Sequence, residues 1–213
     1  FLNSGVPKTN IRYFGPNPAR DVDGNGLNDD LYATVTITGV REAVQNWSRE
    51  QGVQLGVPFY VYLVDHGHYD QFLAAGSSNK IWAADLNLWL SNLEATSGAD
   101  NINVILEACK SGSFIDVTTL GPAEVSGHNR VVIASTSSTL NAYPSAQGGY
   151  FSDVFWTAVG QNQDLKTAFE WAKQAVQATE LSQQPWLDDN GDTVADGRDG
   201  ALARGRGLGG AFA

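Results

Sequence analysis

Asn103-Val-Ile-Leu-Glu-Ala-Cys109-Lys-Ser-Gly-Ser113 decides the reading of this chain: an apolar run stops beside the only cysteine and gives way to small residues. A short apolar run bounded by turn residues reads as a buried strand, so Cys109 stands at a strand's carboxyl end. A second run, Phe59-Tyr-Val-Tyr-Leu-Val64, ends the same way in Asp65-His66-Gly67. In an open parallel sheet those ends form the edge where ligands bind. A nucleophile and a base are therefore expected on one edge. A histidine supplies what thiol chemistry needs, because it takes the thiol proton and later protonates the leaving group. Of the other histidines, His128 in Ser-Gly-His-Asn-Arg reads as a solvated loop residue.

Working outward, Asn10 to Phe14 alternates in polarity and reads as a strand. Thr38 is expected to cap a helix through Trp47, with Val40, Ala43, Val44 and Trp47 on its buried face. Two short apolar pieces around Gly-Ser-Ser-Asn, within residues 71 to 83, suit a hairpin. Asp85 opens a helix that ends at Ser-Gly-Ala-Asp100, Arg130 to Ala134 is a further strand, and residues 150 to 159 and 165 to 179 have helical spacing. Strands alternating with helices in this order indicate a mainly parallel α/β layer fold.

The chain has 213 residues, 42% hydrophobic and 17% charged, which suits one globular domain with a substantial core. A formal charge of -10 repels phosphate and argues against nucleic acid or an anionic membrane as partner. No stretch approaches the roughly 20 apolar residues of a membrane span, and the first residues lack a signal peptide's basic and apolar regions. One cysteine forbids an internal disulfide and leaves no resolving partner for a redox switch.

Asp65-His66-Gly67 and Glu107-Ala-Cys109-Lys-Ser111-Gly112, each after an apolar strand and in this order, resemble the legumain family of cysteine peptidases. That family belongs to the caspase-like group, with relatives such as gingipains and clostripain. The resemblance implies a caspase-like three-layer α/β fold over residues 1 to 180, a mainly parallel sheet flanked by helices, followed by an acidic Gly/Asp-rich segment, 181 to 213. It makes Cys109 the nucleophile, His66 the acid/base residue, and the N–H groups of Gly67 and Cys109 the oxyanion hole. Glu107 would line the pocket for the side chain preceding the scissile bond. A buried acid there favours a basic or amide side chain, whereas the family prefers Asn or Asp with help from an upstream Arg that the two motifs do not place, which leaves the specificity open. Ser135, Ser137 and Ser138 match the segment that pairs with substrate as an added strand.

Two departures bear on this. The family has a first strand and helix ahead of the segment that Asn10 to Phe14 resembles, and residues 1 to 9 cannot supply them. Either an N-terminal segment or companion chain completes the sheet, or the sheet is built differently. Lys110 stands where legumains have an acid, and a cation there favours a thiolate.

Catalysis by this chemistry needs no cofactor, but two loops have calcium-loop spacing. Asp21, Asp23, Asn25 and Asp29 occupy positions one, three, five and nine of the first, with Leu27 offering its carbonyl at seven. Tyr32 stands where a bidentate Glu belongs. In the second, Asp188, Asn190, Asp192, Val194, Asp196 and Asp199 occupy positions one, three, five, seven, nine and twelve. Structural calcium would suit an extracellular or bacterial surface setting; a solvated Asp/Asn/Gly turn is the alternative for either loop. The expectation is thus a cysteine endopeptidase, or a transpeptidase using the same acyl-enzyme, acting on peptide or protein substrates. Its rival is a noncatalytic, calcium-stabilised binding module of a larger surface protein.

Overall fold

A computed structural model describes residues 5–16, 19–75, 79–116, 124–146 and 148–208. The chain enters through a 3-10 turn, Lys8–Asn10, and then strand β1 (Phe14–Gly15), which pairs in parallel with β2 (Ala33–Thr34). The strand expected from Asn10 is thus only two residues long, because its partner offers just two residues. Arg12 instead stacks over Tyr32 and Trp47 and pairs with Glu42. Helix α1 (Ile37–Glu42) continues through a π turn (Ala43–Trp47) into α2 (Ser48–Glu50). Its cap is Thr36 rather than Thr38: the Thr36 hydroxyl accepts the Gly39 N–H at 3.0 Å, so the helix starts two residues earlier.

Next come β3 (Phe59–Val64), β4 (His66–His68), β5 (Gln71–Ala74) and β6 (Asn79–Trp82), with β4 to β6 forming a small antiparallel sheet. The expected hairpin is β5–β6; its turn at residues 76 to 78 lies outside the described residues. Helix α3 (Ala83–Ser97) buries Leu86, Trp89, Leu90 and Leu93 and stops at Gly98, whose φ of 71° suits the glycine that closes a helix. Strand β7 (Ile102–Glu107) and β8 (Arg130–Ala134) follow, every residue of both buried. Then come α4 (Tyr150–Gly160), α5 (Leu165–Gln177) and β9 (Trp186–Asp188).

The main sheet has the order β3-β7-β8-β9, parallel except for β9. A strand buried on both faces reads as a continuous apolar run, which is why β7 and β8 were legible. One face carries a core that includes Val44, Ile81, Leu86, Leu90, Leu93, Val104 and Leu106; the other carries Ile105, Ile133, Phe151, Phe155, Ala168, Phe169 and Ala172. Helices thus sandwich the sheet in three layers. Among the described residues β3 pairs with β7 alone in this sheet.

Residues 181–208 are continuous with this body. Strand β9 pairs with β8, and buried Arg206 donates to the carbonyls of Asp100, Ile102 and Asn129 and to Asn103 Oδ1. Arg130, also buried, donates through Nε and Nη2 to the Glu94 carboxylate at 2.8 and 2.7 Å. The two guanidinium groups fasten loops and helix α3 to the sheet end opposite the thiol.

Candidate active site

The parallel register of β3 and β7 runs from Phe59 opposite Ile102 to Val64 opposite Glu107. Both chains then leave the sheet side by side, and the Asp65 N–H still donates to the Glu107 carbonyl at 3.3 Å. On the β7 side, Cys109 is followed by Lys110 at φ 58°, a left-handed conformation uncommon outside glycine. That turn leads into a 3-10 segment, Ser111–Phe114. Cys109 is therefore half-buried on a sharp bend just past a rigid strand.

On the β3 side, Asp65 fastens the small sheet to the large one. Its Oδ1 accepts the His66 N–H at 2.7 Å and its Oδ2 the Ala75 N–H at 2.9 Å. Ser113 ties the two motifs together by accepting the Asp70 N–H at 2.8 Å and donating to the Lys110 carbonyl at 2.7 Å. Gly67 packs directly on Cys109, since a Cβ built on it would lie 2.3 Å from the Cys109 carbonyl oxygen. His66 is exposed beside it. The two motifs read from the sequence as separate strand ends thus form one contiguous site. The bonds from Asp65 and Ser113 that hold them together had not been read from the sequence, although both residues lie in the motifs.

The polypeptide over the thiol is residues 140 to 143. The Cys109 thiol donates to the Ala142 carbonyl at 3.6 Å, the Lys110 N–H to the Leu140 carbonyl at 2.8 Å, and Lys110 Nζ to Asn141 Oδ1 at 3.2 Å. Gln183 props this segment from below. Its Oε1 accepts the Tyr143 N–H at 3.1 Å, while its Nε2 donates to the Ser135 carbonyl at 2.8 Å. Ser135, Ser137 and Ser138 are themselves buried beneath. Gly112 lets them come close: a Cβ there would stand 2.5 Å from the Ser138 nitrogen and 2.7 Å from Trp186. No composition signal marked residues 140 to 143.

Glu107 is buried between β7, Ser152, Gly149 and Ser135. Its Oε2 accepts the Ser152 N–H in the first turn of α4 at 2.8 Å, and its Oε1 has no partner. Burial pushes its carboxyl pKa above the ordinary value, opposed by Ser152 and Ser135 and reinforced by the negative charge of Asp153. The Ser135 hydroxyl lies near the carboxylate but completes no hydrogen bond of good geometry, so Ser135 Oγ is unpartnered too.

The two acidic loops differ. In the first, carboxylates of Asp21, Asp23 and Asp30 converge, but Lys8 Nζ stands among them, 3.2 Å from Asp23, 2.6 Å from Asp29 and 2.7 Å from Asp30. An ammonium already supplies the positive charge there and holds the Asp30 pKa down at about 2. In the second, Asp188, Asp192 and Asp199 bring carboxylate oxygens within 4.8 Å of one another, with Asp188 and Asp199 buried. Arg198 reaches only Asp192 and Asp196, and Asn190 caps the Asp192 N–H. Burial and the charges of Asp188 and Asp189 raise the Asp199 pKa to about 6. Carboxylates thus converge in both loops, with Lys8 among those of the first and Arg198 against Asp192 of the second.

A three-layer α/β sandwich with a thiol and an imidazole on neighbouring strand ends is the arrangement of the caspase-like cysteine peptidases. The chain belongs to the Peptidase C13 family, whose model matches residues 21–191. The fold is similar to that of caspase-1 from Spodoptera frugiperda, with a TM-score of 0.54 over 75% of this chain and 70% of that chain at 12% identity. No curated protein sequence matches.

Proposed function

We propose that the protein is a cysteine endopeptidase in which Cys109 and His66 form the working dyad. The Cys109 thiolate attacks the carbonyl carbon of a peptide bond, forming a C–S bond and a tetrahedral oxyanion. The N–H groups of Gly67 and Cys109 stabilise that oxyanion, each fixed donor contributing roughly 3 kcal/mol. Collapse breaks the C–N bond as His66 protonates the departing amine. Water then resolves the thioester, or a second amine does so in transpeptidation. Glu107 forms the floor of the pocket for the side chain preceding the scissile bond. Ser135 acts from beneath, its carbonyl holding the Gln183 amide that supports the 140 to 143 segment bordering the substrate, while Ser137 and Ser138 continue the segment expected to run alongside the substrate backbone.

The observation that supports this reading is the packing of Gly67 onto the Cys109 backbone, which joins the segment bearing the exposed His66 to the bend bearing the half-buried Cys109. A peptidyl acyloxymethyl ketone should label the intact protein at Cys109, and Cys109→Ala should abolish both labelling and peptide cleavage. Labelling without measurable cleavage of a diverse peptide library would favour the noncatalytic binding module.

Two accessory proposals accompany it. Calcium neutralises the second acidic loop through Asp188, Asp192 and Asp199, a reading supported by their burial and convergence and suited to a bacterial surface or extracellular setting. An additional strand, from an N-terminal segment or a companion chain, completes the sheet at β3, supported by that strand's single neighbour.

A further inference from the structure

One cation at the thiol bend has no carboxylate beside it. Lys110, the residue after Cys109, takes part in none of the eight ion pairs formed among the described residues. Lys8, Arg12, Arg130, Lys166 and Arg198 all have an acidic partner. The Lys110 ammonium instead donates to the neutral Asn141 Oδ1 at 3.2 Å and lies 5.5 Å from the centre of the Tyr69 ring. An ammonium carries three donors, so Asn141 leaves it further capacity, and the Tyr69 face attracts the charge without neutralising it.

The surroundings show which way this cation faces. His66 and His68 are alternate residues of β4, both exposed, and so share one face of that strand. The Tyr69 ring meets the His68 ring edge-on, with centroids 5.3 Å apart. Lys110, Tyr69, His68 and His66 thus form one rim beside the Cys109 bend. Glu107 lies on the other side of the sheet end, against Ser152 of α4, whereas the small sheet joins the opposite core through Phe72 and Ile81. His66 is the group that protonates the departing amine, so the departing part of the peptide runs along this rim.

We infer that Lys110 selects an aspartate or glutamate side chain within the first two residues after the scissile bond. The inference rests on Cys109 and His66 being the dyad and deepens that reading. Neighbouring Cα atoms stand about 3.8 Å apart across a trans peptide, so the residue next to the nucleophile serves substrate positions next to the bond. An ammonium already held by Asn141 and Tyr69 has lost part of its freedom, which lowers the cost of ordering a further ion pair. A substrate amide would accept a hydrogen bond but leave the charge unneutralised, and a substrate lysine would add a second cation beside it.

The test is a panel of C-terminally amidated, internally quenched peptides built on one sequence that the intact protein cleaves, with Asp, Glu, Asn, Gln, Lys or Ala at each of the first two residues after the bond. Mass spectrometry fixes the cleavage point, and kcat/KM is compared. At one of the two positions the acid should exceed its amide counterpart by about 5-fold, the upper end for an ion pair near a surface. Lys110→Gln should bring that ratio to about one, and Lys110→Arg should restore it. A change common to all peptides, such as a looser 140 to 143 segment, leaves the ratio unmoved, so a merely structural lysine would not alter it. Amides cleaved as fast as acids at both positions, or an acidic preference that survives Lys110→Gln, overturns the inference and leaves the peptidase reading standing. Absence of any cleaved sequence in a diverse library overturns both. Should Lys110→Gln fail to fold, salt decides on the unaltered protein: going from about 0.05 to 0.5 M should bring the ratio towards one, and a salt-independent ratio overturns the inference.

Discussion

Gly67 and Cys109 touch through backbone: a methyl group on Gly67 would intrude to 2.3 Å from the Cys109 carbonyl oxygen and 2.9 Å from the Ala108 Cβ. Neither neighbour can swing aside as the end of a flexible side chain could. Gly67→Ala must push the His66 strand away from the thiol bend, at a cost of about 1–3 kcal/mol as for other overpacking substitutions. The expected result is a lower melting temperature together with at least about 100-fold slower labelling of Cys109, because misplacement by an ångström is enough to cost that much. Labelling at the unaltered rate would show that the contact does not set the catalytic geometry.

Stability should depend on pH through Glu107. Its folded-state pKa is raised above the ordinary 4.5, so the folded chain holds its proton where the unfolded chain has lost it. Stability therefore falls as pH rises from 4.5 towards the folded pKa, and the full cost of the buried charge applies above it. Glu107→Gln removes that slope. Measured by denaturant titration, the variant should gain stability relative to the parent between pH 4.5 and pH 8, and parallel curves would contradict the assignment.

Arg130 is the counterpart of Glu107, a buried charge with every contact provided. Glu94, Asn87, Ser91 and the Val125 carbonyl all accept from it. Arg130→Ala strands the Glu94 carboxylate and those acceptors and should cost about 3–5 kcal/mol. Glu94→Gln, which keeps an acceptor, should cost less. Chemical denaturation of the two variants at one pH orders them.

Calcium should raise the melting temperature, since a ligand at about 100 times its Kd adds roughly 2.7 kcal/mol to the folded state. Asp188→Asn should remove the response. Asp21→Asn should leave it intact, because Lys8 already supplies positive charge to the first loop. A melting temperature indifferent to calcium and to chelator would dispose of the site.

The parts of the fold legible in sequence are those that bury both faces or one clean stripe. Strands β3, β7 and β8 and helices α3, α4 and α5 all lie where the apolar patterning puts them. Trp186–Asp188 escaped notice because three residues show no period, and the strand exists only because β8 offers it an edge. The two acidic loops look alike in sequence and differ in space, since Asp188 and Asp199 of the second are buried while a lysine fifteen or more residues away reaches the more exposed carboxylates of the first. Cys109 and His66 announced themselves through their strand ends. Residues 140 to 143 did not, because nothing in their own chemistry places them; Lys110 and Gln183 do.

Gln183 has a consequence for how the protein is made. Its single amide group joins Ser135, 48 positions earlier, to Tyr143, 40 positions earlier. Contacts spanning so much chain form late, because loop closure must be paid for before they return anything. A ribosome therefore releases the thiol long before it releases the glutamine that seats the segment above it. During synthesis the Cys109 thiol exists without its surroundings, and the nascent chain carries the thiol well before the glutamine that supports the segment above it.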